Sequence, residues 1–443
     1  MAETKIKAQE KIQIIEDPVK AVRQTPDMYV GQLNSKGFLN MYREILQNSL
    51  DEIIKGHTLD KNITVSFDAR NYTVIIEDNG QGIDLNVLEK VFTVLHSSSN
   101  YNKTAGSGNY SSGKNGVGAT ITNFLSRFFV VESYRMDGTA GKVEFEEGYI
   151  TKKGFQKIKC PKDKHGLMVS FAPSEMVGEI DVDDVAVEEL TWQLCHLCSI
   201  GTKITYNAIT RTGMKRKVII ENKRGINEML GKICEKPLFD PVYFEFDNGT
   251  MEFECLFTYD LKNMDEAEIT SFANMCPTLG GTHVDGFLDA IIKYFRDYMN
   301  KIYLVNNKKL TVNAQDIRTG LRAVVECKHL FPLFTGQSKE MFSEVGMKTF
   351  ASEVTMNALD EWTKKAPADL QKLGKYLKEV CEIRSKTDDQ KIKMADKYTA
   401  SVISGLPAKY KKPNGKGAFE LIITEGRHVT WPILYSNIES KLF

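Results

Sequence analysis

Three groups of residues have types and spacings suited to chemistry. In FLNMYREILQNSLDEIIK, Phe38 to Lys55, the residues Glu44, Asn48, Asp51 and Lys55 recur at i, i+4, i+7 and i+11. One helix face would then carry two carboxylates, an amide and an amine. In EDNGQGI, Asp78 is followed by Gly80 and Gly82, with Ile83 closing the turn. A carboxylate at a strand end can accept a hydrogen bond from an exocyclic amine, and the glycines let backbone approach a ligand. The third group is SSSNYNKTAGSGNYSSGKNGVGA, Ser97 to Ala119, which ends in GKNGVGA directly before the helical run TITNFLSRF. A glycine-rich loop feeding a helix N-terminus aims backbone N–H groups at an anion and suits a phosphate. Each group also has a plain alternative: a solvated helix face, an ordinary turn, a flexible surface loop. The loop is neither a G-x-x-x-x-G-K-[ST] phosphate loop behind a strand nor a dinucleotide fingerprint.

The elements that must position these groups follow from periodicity. Phe38, Met41, Tyr42, Ile45, Leu46, Ser49, Leu50 and Ile53 recur at helical spacing and predict a wide buried face. Asn34 or Ser35 caps the start of this helix, and Gly56 stops it. Ile63–Phe67 and Tyr72–Glu77 read as a hairpin turning at Asp68–Asn71. Upstream, Pro26 ends a short helix at Thr25. Strands dominate from Phe128 to Phe171, and a helix covers Val185–Leu197. The expected fold class is α+β, with helices layered on a largely antiparallel sheet. A second domain is expected to open near Lys203 with ITYNA and KVIIEN. It continues through a Gly280-Gly281 turn and an apolar helix from Val284 to Met299, and ends in a long helical region from Ser343 to Tyr398. The expected divisions are an N-terminal arm at 1–22, a first domain at 23–205, a second at 206–398, and a linker with a partial further domain at 399–443.

Bulk composition sets limits. The 443 residues allow two or three domains, and the 58 basic and 58 acidic side chains cancel. A neutral total argues against a uniformly basic surface but permits a local basic groove. No run of about 18 apolar residues marks a membrane span. The charged N-terminus has no signal-peptide core, so a cytoplasmic location and no membrane partner are expected. Cys195 and Cys198 form C-x-x-C without a second ligand pair, and suit an apolar helix better than zinc.

Taken in order, E-x-x-x-N-x-x-D-E at Glu44–Glu52, D-x-G-x-G at Asp78–Gly82 and the lid ending GKNGVGA resemble the GHKL ATPases. That group includes gyrase, a heat-shock chaperone, histidine kinases and mismatch-repair proteins. PDMYVG, SSNY, GGTHVDGF, GQSK, DIRTGLRAVVECK and LPAKY before ELIITEG resemble, more narrowly, the ATPase subunits of type IIA topoisomerases. The SSNY and KNGVGA forms are closer to the eukaryotic and T-even phage enzymes than to bacterial gyrase B. The resemblance implies a Bergerat-type α/β sandwich, a ribosomal-S5-like transducer domain with a long C-terminal helix, and the start of a toprim domain.

It also implies roles. Glu44 would be the general base for an attacking water, and Asn48 would offer oxygen to Mg²⁺ beside ATP. Asp78 would bind adenine. Asp51, Gly82, Ile83, Ser98, Ser99, Asn100, Gly113, Lys114, Asn115, Gly116, Val117, Gly118 and Ala119 would line the nucleotide. Lys339, with Gln337, would reach the γ-phosphate from the second domain. Three departures stand out. Ser338 replaces Thr in Q-T-K. Leu167 follows Gly166 where bacterial relatives usually carry Thr, which puts one polar nucleotide contact in question. Glu425-Gly426 precedes RHVTWPILY, so Glu425 lacks the aspartates that would complete a toprim Mg²⁺ site. The implied partners are double-stranded DNA, a second copy of the chain and a separate DNA-cleaving subunit. A GHKL chaperone or mismatch-repair ATPase is the alternative, and a decayed nucleotide-binding module a third reading.

Overall fold

The structure is a computed structural model that describes residues 15–58, 60–95, 110, 117–264, 266–304, 310–336 and 339–400, with side chains to 386. The chain opens with α1 (Pro18–Gln24), α2 (Asp27–Val30) and the 20-residue α3 (Ser35–Ile54). Next come β1 (Asn62–Asp68), β2 (Thr73–Asp78), α4 (Leu88–Thr93), α5 (Gly118–Phe124), β3 (Ser126–Tyr134) and β4 (Ala140–Glu146). They are followed by β5 (Tyr149–Ile150), β6 (Gln156–Lys157), β7 (Gly166–Pro173), α6 (Asp184–Leu197), β8 (Lys203–Ile209) and β9 (Lys215–Glu221). These strands form one nine-stranded sheet in the order β5-β4-β3-β7-β2-β1-β8-β9, with β6 on β4. Every pairing is antiparallel except β1 with β8.

The helix α3 forms where its pattern demands. Asn34 accepts from the Lys36 N–H at the start, and Gly56 follows the last turn with φ 72. Phe38, Tyr42, Leu46 and Leu50 are fully buried against the sheet with Phe67, Val74 and Tyr206. Truncating one such aromatic costs about 3–5 kcal/mol. The opposite face is not simply solvated: Arg43, Gln47 and Asp51 are also buried.

The strands expected to open the second domain belong to this first sheet. β8 pairs in parallel with β1, and β9 pairs with β8, so a boundary between residues 205 and 206 would cut through β8. The physical reason is burial. Ile204, Tyr206, Ala208 and Ile220 alternate inward, and their partners are the core residues of β1 and α6.

The second unit begins with α7 (Asn227–Ile233), β10 (Val242–Asp247), β11 (Met251–Tyr259), β12 (Glu268–Ala273), β13 (Cys276–Thr278) and β14 (Gly280–Gly281). It continues with α8 (Thr282–Ile302), α9 (Ala314–Arg318), β15 (Leu321–His329), β16 (Met341–Phe342), α10 (Val345–Lys365) and α11 (Pro367–Ala400). Its sheet runs β10-β11-β15-β12-β13, with β12 and β15 parallel. One face, through Phe253, Phe257 and Val325, packs on α8 and α10; the other, through Leu256, Phe272 and Val324, joins the core of the first unit. The expected long helical region after Ser343 consists of two helices. Pro367 has no N–H to continue α10, and Ala366 leaves the helical region at φ −128, ψ 59. The second helix, α11, is long. Residues 401–443, with Glu425 and the expected toprim start, lie outside the described residues.

Candidate active site

Near the middle of α3, Glu44 meets the second unit. Lys339 Nζ lies 2.7 Å from Glu44 Oε1, and both side chains are largely shielded, 13% and 20% exposed. Arg43 Nη2 approaches the same oxygen at 3.5 Å. Burial by itself would raise the Glu44 carboxyl, but Lys339 and then Arg43 outweigh it and hold it below the usual carboxylate value. The other oxygen, Oε2, faces the start of α5: a Cβ built on Gly118 would sit 2.1 Å from it. The end of the glycine-rich run and the expected base therefore touch, and a side chain at Gly118 would displace the carboxylate.

Lys339 is placed by backbone. It sits at φ 58, in the left-handed region that a lysine adopts only when its surroundings demand it. Leu279 N–H donates to the Glu340 carbonyl at 2.8 Å, and β14 pairs in parallel with β16. Gly280-Gly281 is thus a short strand rather than a turn. A Cβ on Gly281 would lie 2.3 Å from the Phe342 carbonyl, so glycine is what lets the Lys339 loop dock. Two further contacts tie α3 to this unit: Lys36 to Glu340 at 3.3 Å, and Gln47 Nε2 donating to the Met275 carbonyl at 2.8 Å.

Asp78 ends β2 in a different environment. Its Oδ1 accepts from the N–H groups of Gly80 at 2.9 Å and Leu167 at 3.1 Å, and its Oδ2 accepts from the Ser49 hydroxyl at 2.8 Å. Burial pushes its pKa up to about 6, against the pull of those three neutral donors. A carboxylate offers about four acceptor positions, and the described residues use three of them. The departure at Leu167 leaves this support intact, because the contact is made by the backbone.

Two stretches of the chain match known families. Residues 35–151 match the family of histidine kinase-, DNA gyrase B- and HSP90-like ATPases, and residues 225–392 match the DNA gyrase B family. The B subunit of DNA topoisomerase 4 from Staphylococcus aureus is 31% identical over 386 residues, covering 83% of this chain and 55% of that protein. This chain carries a GHKL ATPase domain homologous to the B subunits of gyrase and topoisomerase IV. The 43K ATPase domain of Thermus thermophilus gyrase B, solved with an aminocoumarin, superimposes with a TM-score of 0.64 at 25% identity, over 84% of this chain and 98% of that one. The ATPase region of Saccharomyces cerevisiae topoisomerase II shares the fold, with a TM-score of 0.63 at 20% identity over 84% of this chain and all of that one. The chain spans about half the length of the curated relatives it matches.

The predicted site residues divide into four sets. Glu44, Asp78, Val117, Gly118 and Ala119 stand on α3, β2 and the start of α5, with Lys339 reaching in from the second unit. Asn48 is exposed and Asp51 is buried, both on α3. Gly82 and Ile83 turn against β3: a Cβ on Gly82 would lie 2.6 Å from the Tyr134 carbonyl, so its close approach is to the neighbouring strand. Ser98, Ser99, Asn100, Gly113, Lys114, Asn115, Gly116 and Gln337 lie outside the described residues. Sequence reasoning missed Arg43, Ser49 and Ser133. Ser133 is fully buried and bonds both the N–H and the carbonyl of Ile83 at 2.8 Å. Its signal is a serine in step with the inward Phe129 and Val131 of FFVVESY.

Among the described residues no three His, Cys, Asp or Glu side chains converge as a metal site, and all eight cysteines are free thiols. Nor is any described helix long and apolar enough to cross a membrane.

Proposed function

We propose that this chain is the ATP-operated clamp of a type IIA DNA topoisomerase, in which two copies close around a DNA segment on binding ATP and hydrolysis resets them. In this reading Asp78 takes the adenine amino group at the fourth acceptor position. The turn at Gly82 and Ile83, the Ser98–Asn100 segment and the lid from Gly113 to Ala119 enclose the ribose and phosphates. Glu44 orients and deprotonates the attacking water, and its low carboxyl pKa keeps it ionised for that task. Asn48, exposed on the same helix, would supply an amide oxygen to Mg²⁺, which neutralises the phosphates when bound and usually comes with few protein ligands. Lys339, with Gln337, moves to the γ-phosphate.

The 2.7 Å contact between Lys339 and Glu44 carries the proposal. It makes the angle between the units and the chemistry of one carboxylate parts of a single device. A phosphate that competes for Lys339 must change both, as expected of a two-state element biased by ligand. The match to the DNA gyrase B family over residues 225–392 favours this reading over a GHKL chaperone. The domains are then an arm ahead of α1, a GHKL domain that keeps α1, β8 and β9, and a transducer from α7 through α11, because Val19 and Val22 of α1 are buried in the first core. The SSNY and GKNGVGA forms favour the T-even phage and eukaryotic branch, with the chain working in the host-cell cytoplasm beside a separate DNA-cleaving subunit.

Sedimentation of wild type and Lys339→Ala with a non-hydrolysable ATP analogue or with ADP tests this. The analogue should dimerise wild type while ADP does not, and Lys339→Ala should lose that difference. Equal dimerisation of both proteins by the analogue would remove Lys339 from the sensing role, and unchanged mass of wild type would sink the clamp reading.

A further inference from the structure

We propose that Arg43 is the fixed counter-cation of Glu44, a positioning residue that holds the carboxylate in place when Lys339 leaves it for the terminal phosphate. The inference rests on the reading of Glu44 as the base. Two cations share Glu44 Oε1, and they are not equivalent. Lys339 arrives from the other unit on a left-handed backbone turn. Arg43 belongs to α3 itself and is only 5% exposed, so it cannot follow a phosphate.

Glu44 needs such a partner. A half-buried carboxylate that loses its only cation is left uncompensated and relieves the cost by taking a proton. Once protonated it cannot accept a proton from water. Arg43 prevents this from the Oε1 side, while Oε2 lies against Gly118. The described residues hold no substitute. Facing Glu44 are Arg43 from α3, Lys339 from the loop before β16 and Tyr29 from α2, while α5 contributes Gly118, Ile121 and Thr122, none of which titrates. Cys276 acts on Lys339 rather than on Glu44.

A second observation concerns the other side of the guanidinium. Arg43 Nε is buried and has no hydrogen-bond partner. Asn40, Arg43, Glu44 and Gly118 also line a cavity of about 20 Å³. Among the described residues Glu44 is the hydrogen-bond partner of this guanidinium, through Nη2.

The test is the pH profile of kcat at saturating Mg-ATP for the full chain, in wild type, Arg43→Gln and Arg43→Lys. Analogue binding and thermal unfolding are measured on each protein. Arg43→Gln should lower kcat at neutral pH by roughly 10- to 100-fold, the scale of a misplaced reacting group. Its acid limb should move to higher pH, because the carboxylate then holds its proton more tightly. Analogue affinity should stay within about two-fold, since the lost interaction matters to turnover rather than to ground-state binding. Arg43→Lys should recover most of the rate and return the limb. If kcat falls while the acid limb stays in place, or if Lys rescues no better than Gln, Arg43 is packing and the proposal is wrong. Glu44→Gln separates the two readings. Near-normal turnover in that variant removes the base itself, whereas an inactive Glu44→Gln with an unmoved Arg43→Gln limb removes Arg43 alone.

Discussion

Glu44 and Asp78 are both shielded carboxylates of the proposed nucleotide site, yet their surroundings push them in opposite directions. Glu44 faces two cations, and they hold its carboxyl below the usual carboxylate value. Asp78 faces a hydroxyl and two backbone N–H groups, and burial raises it to about 6. The difference follows from the partners' charge, since full charges offset desolvation where neutral dipoles do so only in part. It also matches the work assigned to each. A base must stay deprotonated while it waits, so it needs cations. A purine acceptor needs fixed geometry, which neutral donors supply without a charge that would compete for the ligand. One of Glu44's cations is borrowed from another unit and can be withdrawn; the donors to Asp78 all belong to the GHKL domain.

The largest effect should come from removing the ionised carboxylate. Glu44→Ala should bind ATP and hydrolyse it at least ~100-fold more slowly, the scale of a lost general base. Steady-state phosphate release together with analogue binding measures it. Turnover close to wild type would end the contrast, because Glu44 would then be no more than an ion-pair partner.

A smaller effect is expected at the adenine end. Asp78→Ala removes one buried acceptor, costing roughly 1–3 kcal/mol of ATP affinity and most of the preference over GTP. Wild-type affinity should also weaken as pH falls through about 6, where the carboxyl takes its proton and loses an acceptor position. The sign separates this from unfolding. Folding raises this pKa above its unfolded value, so the folded chain binds the proton more tightly, and this group's contribution to stability grows as pH falls from above 6 toward 4. Calorimetric titration of ATP across this range, with Asp78→Asn as a flat control, measures the effect. A flat wild-type profile would show that Asp78 is not the acceptor.

Much of this contrast was legible in the sequence. Helical spacing located α3, and the capping residues and Gly56 bounded it. The strand-end aspartate before two glycines located Asp78, because turn chemistry is local. Less legible was everything that depends on chain segments far apart. Gln47 and Arg43 look like polar residues on an amphipathic helix, and their burial follows only once β13 and α5 pack against them. ITYNA and KVIIEN have strand composition wherever they pair, and nothing local says that β8 will lie parallel to β1. Ser49 sits among apolar positions, and its role emerges only when Asp78 lies opposite. The Gly280-Gly281 pair signalled a backbone special case correctly, but a turn and a close strand approach use glycine for the same steric reason.

The smallest expected effect concerns the neutral fastener between the units. Gln47 reaches from α3 to the Met275 carbonyl, as Lys339 reaches back to Glu44, but it carries no charge. A γ-phosphate can draw Lys339 away and has no comparable hold on a buried amide. Gln47→Ala should therefore lower stability by about 1 kcal/mol, or somewhat more for the carbonyl left unpaired, in every nucleotide state alike. Lys339→Ala should instead change the difference between states. Thermal unfolding of both variants with analogue, with ADP and without nucleotide separates these outcomes. A uniform downward shift for Gln47→Ala beside a state-dependent shift for Lys339→Ala is the expected pattern. If Gln47→Ala erases the gap between analogue and ADP, then sensing runs through the packing of α3 on the second unit as a whole. The charge on Lys339 would then be one fastener among several rather than the switch.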